Sequence, residues 1–216
     1  NLLIIAFSQK IDLLLSFLFM QLKKLKTNMS INISTLQKVS QYKQYSKRAF
    51  DFDQLFHMKE NKGGGDCLFR SMAQNIYDDE SRHRAIRRDV CNYYKNFDMQ
   101  ASYPEDSLEY KLQITLICEE FDSNGLRIDE STGECISKQN VWGGTAEILV
   151  MAILYRLNVI VVSCFDDKRY SVIPYRGDSR KSPIFLYYNG ENHYQALTPN
   201  RRVSSRISKN KRKNKK

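Results

Sequence analysis

The chain has 216 residues, 42% of them hydrophobic with 13 Tyr and 11 Phe, which suits one well-buried domain with tails and argues against two full domains or disorder throughout. Its formal charge of +10 is unevenly placed: residues 201–216 hold nine Lys or Arg and no acid, so the body is nearly neutral and the end is basic. The five cysteines, Cys67, Cys91, Cys118, Cys135 and Cys164, are scattered and form no C-x-x-C pair, which argues against a disulfide framework or zinc site and for a reducing compartment.

The first residue is Asn1, with Met20 and Met29 as candidate starts. Leu2 to Met20 is apolar but broken by Ser8, Gln9, Lys10 and Asp12, short of the uninterrupted ~20 residues a membrane helix needs. It also lacks the basic flank and cleavage site of a signal peptide, and is read as an amphipathic helix packed on the body or as untranslated sequence. Residues 21–50 are rich in Lys, Ser, Gln and Asn, with Leu22, Leu25 and Leu36 too sparse for a period. They are expected to be a linker with a short helix. The organisation is thus an N-terminal extension over 1–50, one domain over 51–199 and a disordered basic tail over 200–216.

Leu68, Phe69, Met72, Ala73, Ile76 and Tyr77 share one helical face, so a helix opens at Cys67. A second helix is predicted from about Ser81 to Phe97 on Ile86, Val90, Tyr93, Tyr94 and Phe97, with its basic residues outward and Cys91 as a packing residue. A third begins near Asp106, which has capping-box spacing to Glu109, and stops at Asn124-Gly125. Residues 126–140 are expected to form a loop. After Trp142-Gly143-Gly144, Thr145 caps a helix through about Arg156.

The remaining third is strand-like. Asn158 to Phe165 is a β-branched run of the kind covered on both faces, and Asp166-Asp167 is a turn. Arg169 to Tyr175 alternates, Ile184 to Tyr188 is apolar, and Asn189-Gly190 signals a hairpin before His193 to Thr198. Helices followed by a mostly antiparallel meander predict an α+β or α/β sandwich around one central sheet.

The candidate chemistry begins at Gly63-Gly64-Gly65-Asp66-Cys67. Unsatisfied N–H groups at a helix start stabilise a thiolate and are expected to bring its pKa below about 8.5, while N–H groups of the glycine loop can line an oxyanion site. The competing reading is a buried, inert cysteine. A thiol nucleophile needs an imidazole and a group to orient it. His193 is the best base of the three histidines, because period 2 puts Gln195 on its face to accept from the far ring nitrogen. His83, among Arg82, Arg84, Arg87 and Arg88, is expected on a solvated helix face, and His57 stays open as an alternative base.

Three blocks, Gly65-Asp66-Cys67-Leu68-Phe69-Arg70-Ser71 with Arg82-His83, Val141-Trp142-Gly143-Gly144-Thr145-Ala146-Glu147-Ile148-Leu149, and Asn192-His193-Tyr194-Gln195-Ala196-Leu197, resemble the ovarian-tumour (OTU) cysteine proteases over roughly residues 55–199. The resemblance implies a papain-like α+β fold, a central mostly antiparallel β-sheet flanked by helices. It also implies a thiol-dependent deubiquitinase that hydrolyses the isopeptide or peptide bond after the C-terminal Gly of ubiquitin through a Cys–His thioester mechanism. Carried over, Cys67 is the nucleophile, His193 the general base and acid, and Gln195 the orienting group. The N–H groups of Gly64, Gly65, Asp66 and Cys67 form the oxyanion hole, and Trp142, Gly143, Gly144 and Asn192 line the substrate path, although an architectural role is favoured for Trp142.

Two positions depart from the family pattern: Gly64 stands where Asp is usual, and Gln195 where Asp or Asn is usual. Asp51 or Asp53 is the alternative third group. The resemblance implies ubiquitin conjugates, or ubiquitin-like modifiers, as partners of a monomer with no membrane span, no metal and no cofactor. The expected location is cytoplasmic or nuclear, in a host cell if a parasite, bacterium or virus encodes the chain. Glu119, Glu120 and Asp122 are acids available to the arginines of a ubiquitin tail. The alternatives are a weakened ubiquitin-binding module, and a protein that binds nucleic acid weakly and salt-dependently through 201–216.

Overall fold

The computed structural model describes residues 31–200 apart from 48, 118, 130–132, 167–168, 178–179 and 181. The first elements are α1 (Ile33–Gln37), β1 (Lys43–Ser46), α2 (Phe52–Leu55) and β2 (Phe56–Lys59). A helical block follows: α3 (Cys67–Tyr77), a 3-10 turn at Glu80–Arg82, α4 (His83–Asn96) and α5 (Leu108–Leu116). A small ribbon of β3 (Ile128–Asp129) and β4 (Glu134–Cys135) precedes α6 (Thr145–Leu154). The last strands are β5 (Asn158–Asp166), β6 (Arg169–Arg176), β7 (Ile184–Tyr188) and β8 (Tyr194–Pro199).

Six strands form one sheet in the order β1-β6-β5-β7-β8-β2. All pairings are antiparallel except β5 with β7, so the meander is interrupted by one parallel crossover. Strand β5 is covered on both faces, as its β-branched run predicts. Val159 and Val161 join the core beneath α3 to α6, while Ile160 and Val162 face the layer made by Leu36, Phe50, Leu55 and Phe56. This is the α+β architecture expected from the sequence, with a mixed, mostly antiparallel sheet.

Several elements differ from expectation. Residues 31–50 do not behave as a linker: Leu36, Val39 and Phe50 are buried, and β1 is an edge strand on β6. Their apolar side chains are spread over a five-residue helix, an edge strand and the turns between them, each too short to show a period. Helix α5 is capped by Ser107, not Asp106, because the Ser107 side chain accepts the Tyr110 N–H at 3.0 Å. It stops at Leu116, well before Asn124-Gly125, and the presumed loop 126–140 carries the β3–β4 ribbon. Cys91 is a core thiol whose pKa burial pushes up to about 11, so it stays protonated at neutral pH. No helix among the described residues is long and apolar enough to cross a membrane. The readings placed on the apolar stretch 2–20 and on the basic tail 201–216 lie outside the described residues.

Candidate active site

Helix α3 lies along β8, which brings its first residue to the turn that enters that strand. Cys67 is buried, and its Sγ accepts the Tyr194 N–H at 3.4 Å while donating to the Asn192 carbonyl at 3.8 Å. The two backbone groups flanking His193 therefore both touch the sulfur. Burial raises the thiol pKa, and the N–H groups of Tyr194, Leu68 and Cys67 itself offset this only in part. The net shift is upward, opposite to the expected effect of a helix start.

Arg87 organises the loop before Cys67. It is 3% exposed, its Nη2 donates to Asp66 Oδ1 at 2.6 Å, to Gly65 O at 3.1 Å and to Val141 O at 2.8 Å, and its Nη1 donates to Ile136 O at 2.8 Å. The guanidinium also sits 4.0 Å from the centre of the Phe69 ring. One buried side chain thus ties the cysteine loop to the segment before Trp142. His83 is buried too, with Nε2 at 3.8 Å from Asp66 Oδ2, so neither residue lies on the solvated face expected for it. Both fall on the stripe of Ile86, Val90 and Tyr94, at helical spacing.

Of the expected oxyanion donors, Cys67 N–H is already given to Gly64 O at 3.1 Å in the turn that starts α3. The N–H groups of Gly64, Gly65 and Asp66 have no acceptor among the described residues. The Asp66 side chain points inward to Arg87, which leaves its backbone for that role.

His193, the last loop residue before β8, and Gln195, the second residue of that strand, are both half-buried. Gln195 pairs across the sheet with Tyr187, and among the described residues neither its amide nor the His193 imidazole has a side-chain hydrogen bond. Asp51 instead caps α2 by accepting the Gln54 N–H at 3.1 Å. The Asp53 carbonyl accepts from Asn200 Nδ2 at 2.9 Å, which places both acids at the far end of β8, ~20 Å of strand away from His193. The structure does not bring either acid to the candidate base. His57 pairs with Thr198 on β2, towards the same far end, so it does not reach Cys67 as an alternative base.

A family profile for OTU-like cysteine proteases matches residues 62–194, which spans all three blocks. The chain belongs to this family. It is 29% identical over 164 residues to OVARIAN TUMOR DOMAIN-containing deubiquitinating enzyme 10 of Arabidopsis thaliana, covering 74% of this chain and 40% of that protein. It is 25% identical over 170 residues to deubiquitinating enzyme 9 of the same plant, covering 77% of this chain and 43% of that one. The chain therefore spans less than half the length of these relatives. Among solved structures, the viral OTU domain protease from Taggert virus aligns with a TM-score of 0.51 at 19% identity, covering 74% of this chain and 88% of that one, a likeness of fold.

The Trp142-Gly143-Gly144 block of this OTU domain rests on the start of α3. A Cβ at Gly143 would lie 3.0 Å from Leu68 Cδ2 and 3.0 Å from Phe69 Cε2, so the block seats directly on the cysteine helix. The Trp142 side chain is 41% exposed rather than packed inside, which weighs against the architectural reading favoured for it. Its carbonyl accepts from Arg127 Nη2 at 2.8 Å. Arg127 also binds Glu147 through Nε at 2.7 Å, and Glu147, fully buried, accepts from Tyr94 Oη at 2.7 Å and from the Gly144 N–H at 2.6 Å. Glu119 is engaged by Arg127 at 3.3 Å, which partly neutralises the first of the three acids considered for a basic tail. Sequence reasoning passed over Arg127 and Glu147. The signal was a lone carboxylate in an otherwise apolar helix.

Asn61 is another residue that sequence reasoning passed over. Its Nδ2 donates to Ser71 Oγ at 2.8 Å and to Tyr194 O at 3.0 Å, linking the cysteine helix to the strand of His193. Gly64, where OTU proteases usually carry Asp, has φ +92, outside the range L side chains adopt readily. Restoring the family residue with Gly64→Asp is therefore expected to cost ~1–2 kcal/mol of stability and to slow Cys67. Thermal melting and the alkylation rate of Cys67 read the two effects, and a variant as stable as the parent would remove this explanation for glycine.

Proposed function

We propose that the chain is a thiol-dependent deubiquitinase acting on the bond after the C-terminal Gly of ubiquitin. The observation that carries the reading is the contact of Cys67 Sγ with the Asn192 carbonyl and the Tyr194 N–H, which brings the sulfur against the backbone on either side of His193. The relatives' names, deubiquitinating enzymes, supply the substrate class.

In this reading the Cys67 proton passes to the His193 imidazole as Sγ bonds to the glycine carbonyl carbon. The carbonyl oxygen takes the negative charge and is met by the N–H groups of Gly64, Gly65 and Asp66. Collapse breaks the C–N bond, and His193 returns the proton to the leaving lysine amine. Water then attacks the thioester while His193 takes its proton, the C–S bond breaks, and the thiol is restored. Gln195 is the orienting group, acting through its amide oxygen. The exposed Trp142 and the Gly143-Gly144 turn on α3 flank the path of a diglycine tail, with Asn192 on the opposite side. A reducing cytoplasm or nucleus suits a free thiol nucleophile.

Two observations favour a second reading, a ubiquitin-binding domain with little turnover: the burial of Cys67 and the absence of a side-chain hydrogen bond on Gln195 among the described residues. Incubation with ubiquitin bearing a C-terminal electrophile separates the two. The expected result is a covalent adduct of the parent that is lost in Cys67→Ala, whereas binding without any adduct supports the second reading and overturns the first.

A further inference from the structure

The turn that carries His193 is built around one side chain. Asn189 Oδ1 accepts three backbone N–H groups, from Glu191 at 3.0 Å, Asn192 at 2.9 Å and His193 at 2.9 Å. Its Nδ2 donates to Asn192 Oδ1 at 3.2 Å, and its own N–H donates to His193 O at 3.1 Å. Gly190 supplies the positive φ, +91, that lets the chain curl around the amide. Tyr188 Oη pins the tip by donating to Glu191 O at 2.8 Å, and its ring stacks on Tyr194 with centroids 4.5 Å apart. The hairpin signalled by Asn189-Gly190 turns through a five-residue loop, 189–193, with an amide oxygen at its centre.

The loop's geometry is transmitted directly to the nucleophile. Asn192 O and Tyr194 N–H, the groups that touch Cys67 Sγ, belong to residues either side of His193, and Asn192 N–H is held by the Asn189 oxygen. We propose that Asn189 is a positioning residue for the Cys67–His193 pair, setting the separation across which the thiol proton passes to the imidazole. The proposal rests on the deubiquitinase reading for its Cys–His chemistry. Without the oxygen, three N–H groups on an exposed loop turn to water and the loop samples wider conformations. A displacement of about 1 Å at a reacting pair is enough to cost ~100-fold in rate.

The test uses the full chain and iodoacetamide, with Cys67 alkylation followed by mass spectrometry of its peptide across pH 5–9, so that the other cysteines do not interfere. His193→Ala is expected to lose the reactivity near neutral pH that an adjacent imidazole confers by taking the thiol proton as the C–S bond forms, by about 10-fold or more. Asn189→Ala should lose it to a similar extent while its thermal melt stays cooperative. Asn189→Asp keeps the acceptor and should fall within ~2-fold of the parent, a rescue that mere loss of stability does not give. Should Asn189→Ala not fold, Asn189→Ser, which reaches fewer of the three amides, is expected to give an intermediate profile. An Asn189→Ala profile equal to the parent's, with His193→Ala altered, overturns the positioning role alone, as does a parent-like Asn189→Ser in that fallback. A His193→Ala profile equal to the parent's overturns the Cys–His reading and the positioning role with it.

Discussion

Arg87→Ala is expected to lower the unfolding free energy by about 3–5 kcal/mol, because it strands the buried Asp66 carboxylate and removes a donor from three carbonyl groups at once. That is a large share of a domain's net stability. Urea denaturation followed by circular dichroism measures it. Arg87→Lys keeps the charge but not the planar fork, and is expected to recover only part of the loss. The double variant Asp66→Asn with Arg87→Met should be less destabilised than the sum of its singles, since both buried charges leave together. A loss below about 1 kcal/mol in Arg87→Ala would mean that the guanidinium is not what closes the loop.

Gly65→Ala is the second large effect, and it falls on chemistry more than on stability. A Cβ there would stand 1.8 Å from Asn140 O, 2.0 Å from Asn140 C and 2.6 Å from Val141 N, all backbone atoms that no rotamer change can move aside. The cysteine loop must part from the segment before Trp142 by more than an ångström. We expect about a 100-fold slower adduct with electrophile-tagged ubiquitin and a loss of ~1–3 kcal/mol in stability. Gly63→Ala is the matched control, since a Cβ at Gly63 meets nothing within 4 Å and should leave both measurements unchanged. Equal behaviour of the two variants would show that the loop tolerates the displacement.

What could be read in the sequence follows from how locally each feature is encoded. Helix α3, the both-faces-buried β5 and the apolar β7 are each announced by their own residues, and they are found within a residue or two of expectation. The early strands are not, because Lys43–Ser46 and Phe56–Lys59 become strands only by pairing with β6 and β8, more than a hundred residues later. The same distinction divides the site. Cys67 and His193 stand out through the motifs around them. Arg87 is hidden among three neighbouring arginines, Arg82, Arg84 and Arg88, and only its place on the stripe of Ile86, Val90 and Tyr94 marks it as buried. The surroundings of Cys67 divide in the same way: a helix start is visible in sequence, whereas the packing that desolvates the sulfur comes from distant parts of the chain.

Both edges of the sheet come from one short stretch, residues 43–59, and each edge strand docks on a strand from the last third of the domain. During synthesis this stretch leaves the ribosome more than a hundred residues ahead of its partner strands. Until residue 199 has emerged, Phe50, Phe52 and Phe56 have no Phe185, Tyr187 or Leu197 to settle against, and the nascent chain must carry an aromatic cluster open to solvent. Closing loops of that length makes pairing of the edges a late and slow event in folding. Cys67 and the loop that carries His193 thus come together only after almost the whole domain has been made, and a polypeptide stalled partway exposes apolar surface of the kind that makes folding intermediates prone to aggregate.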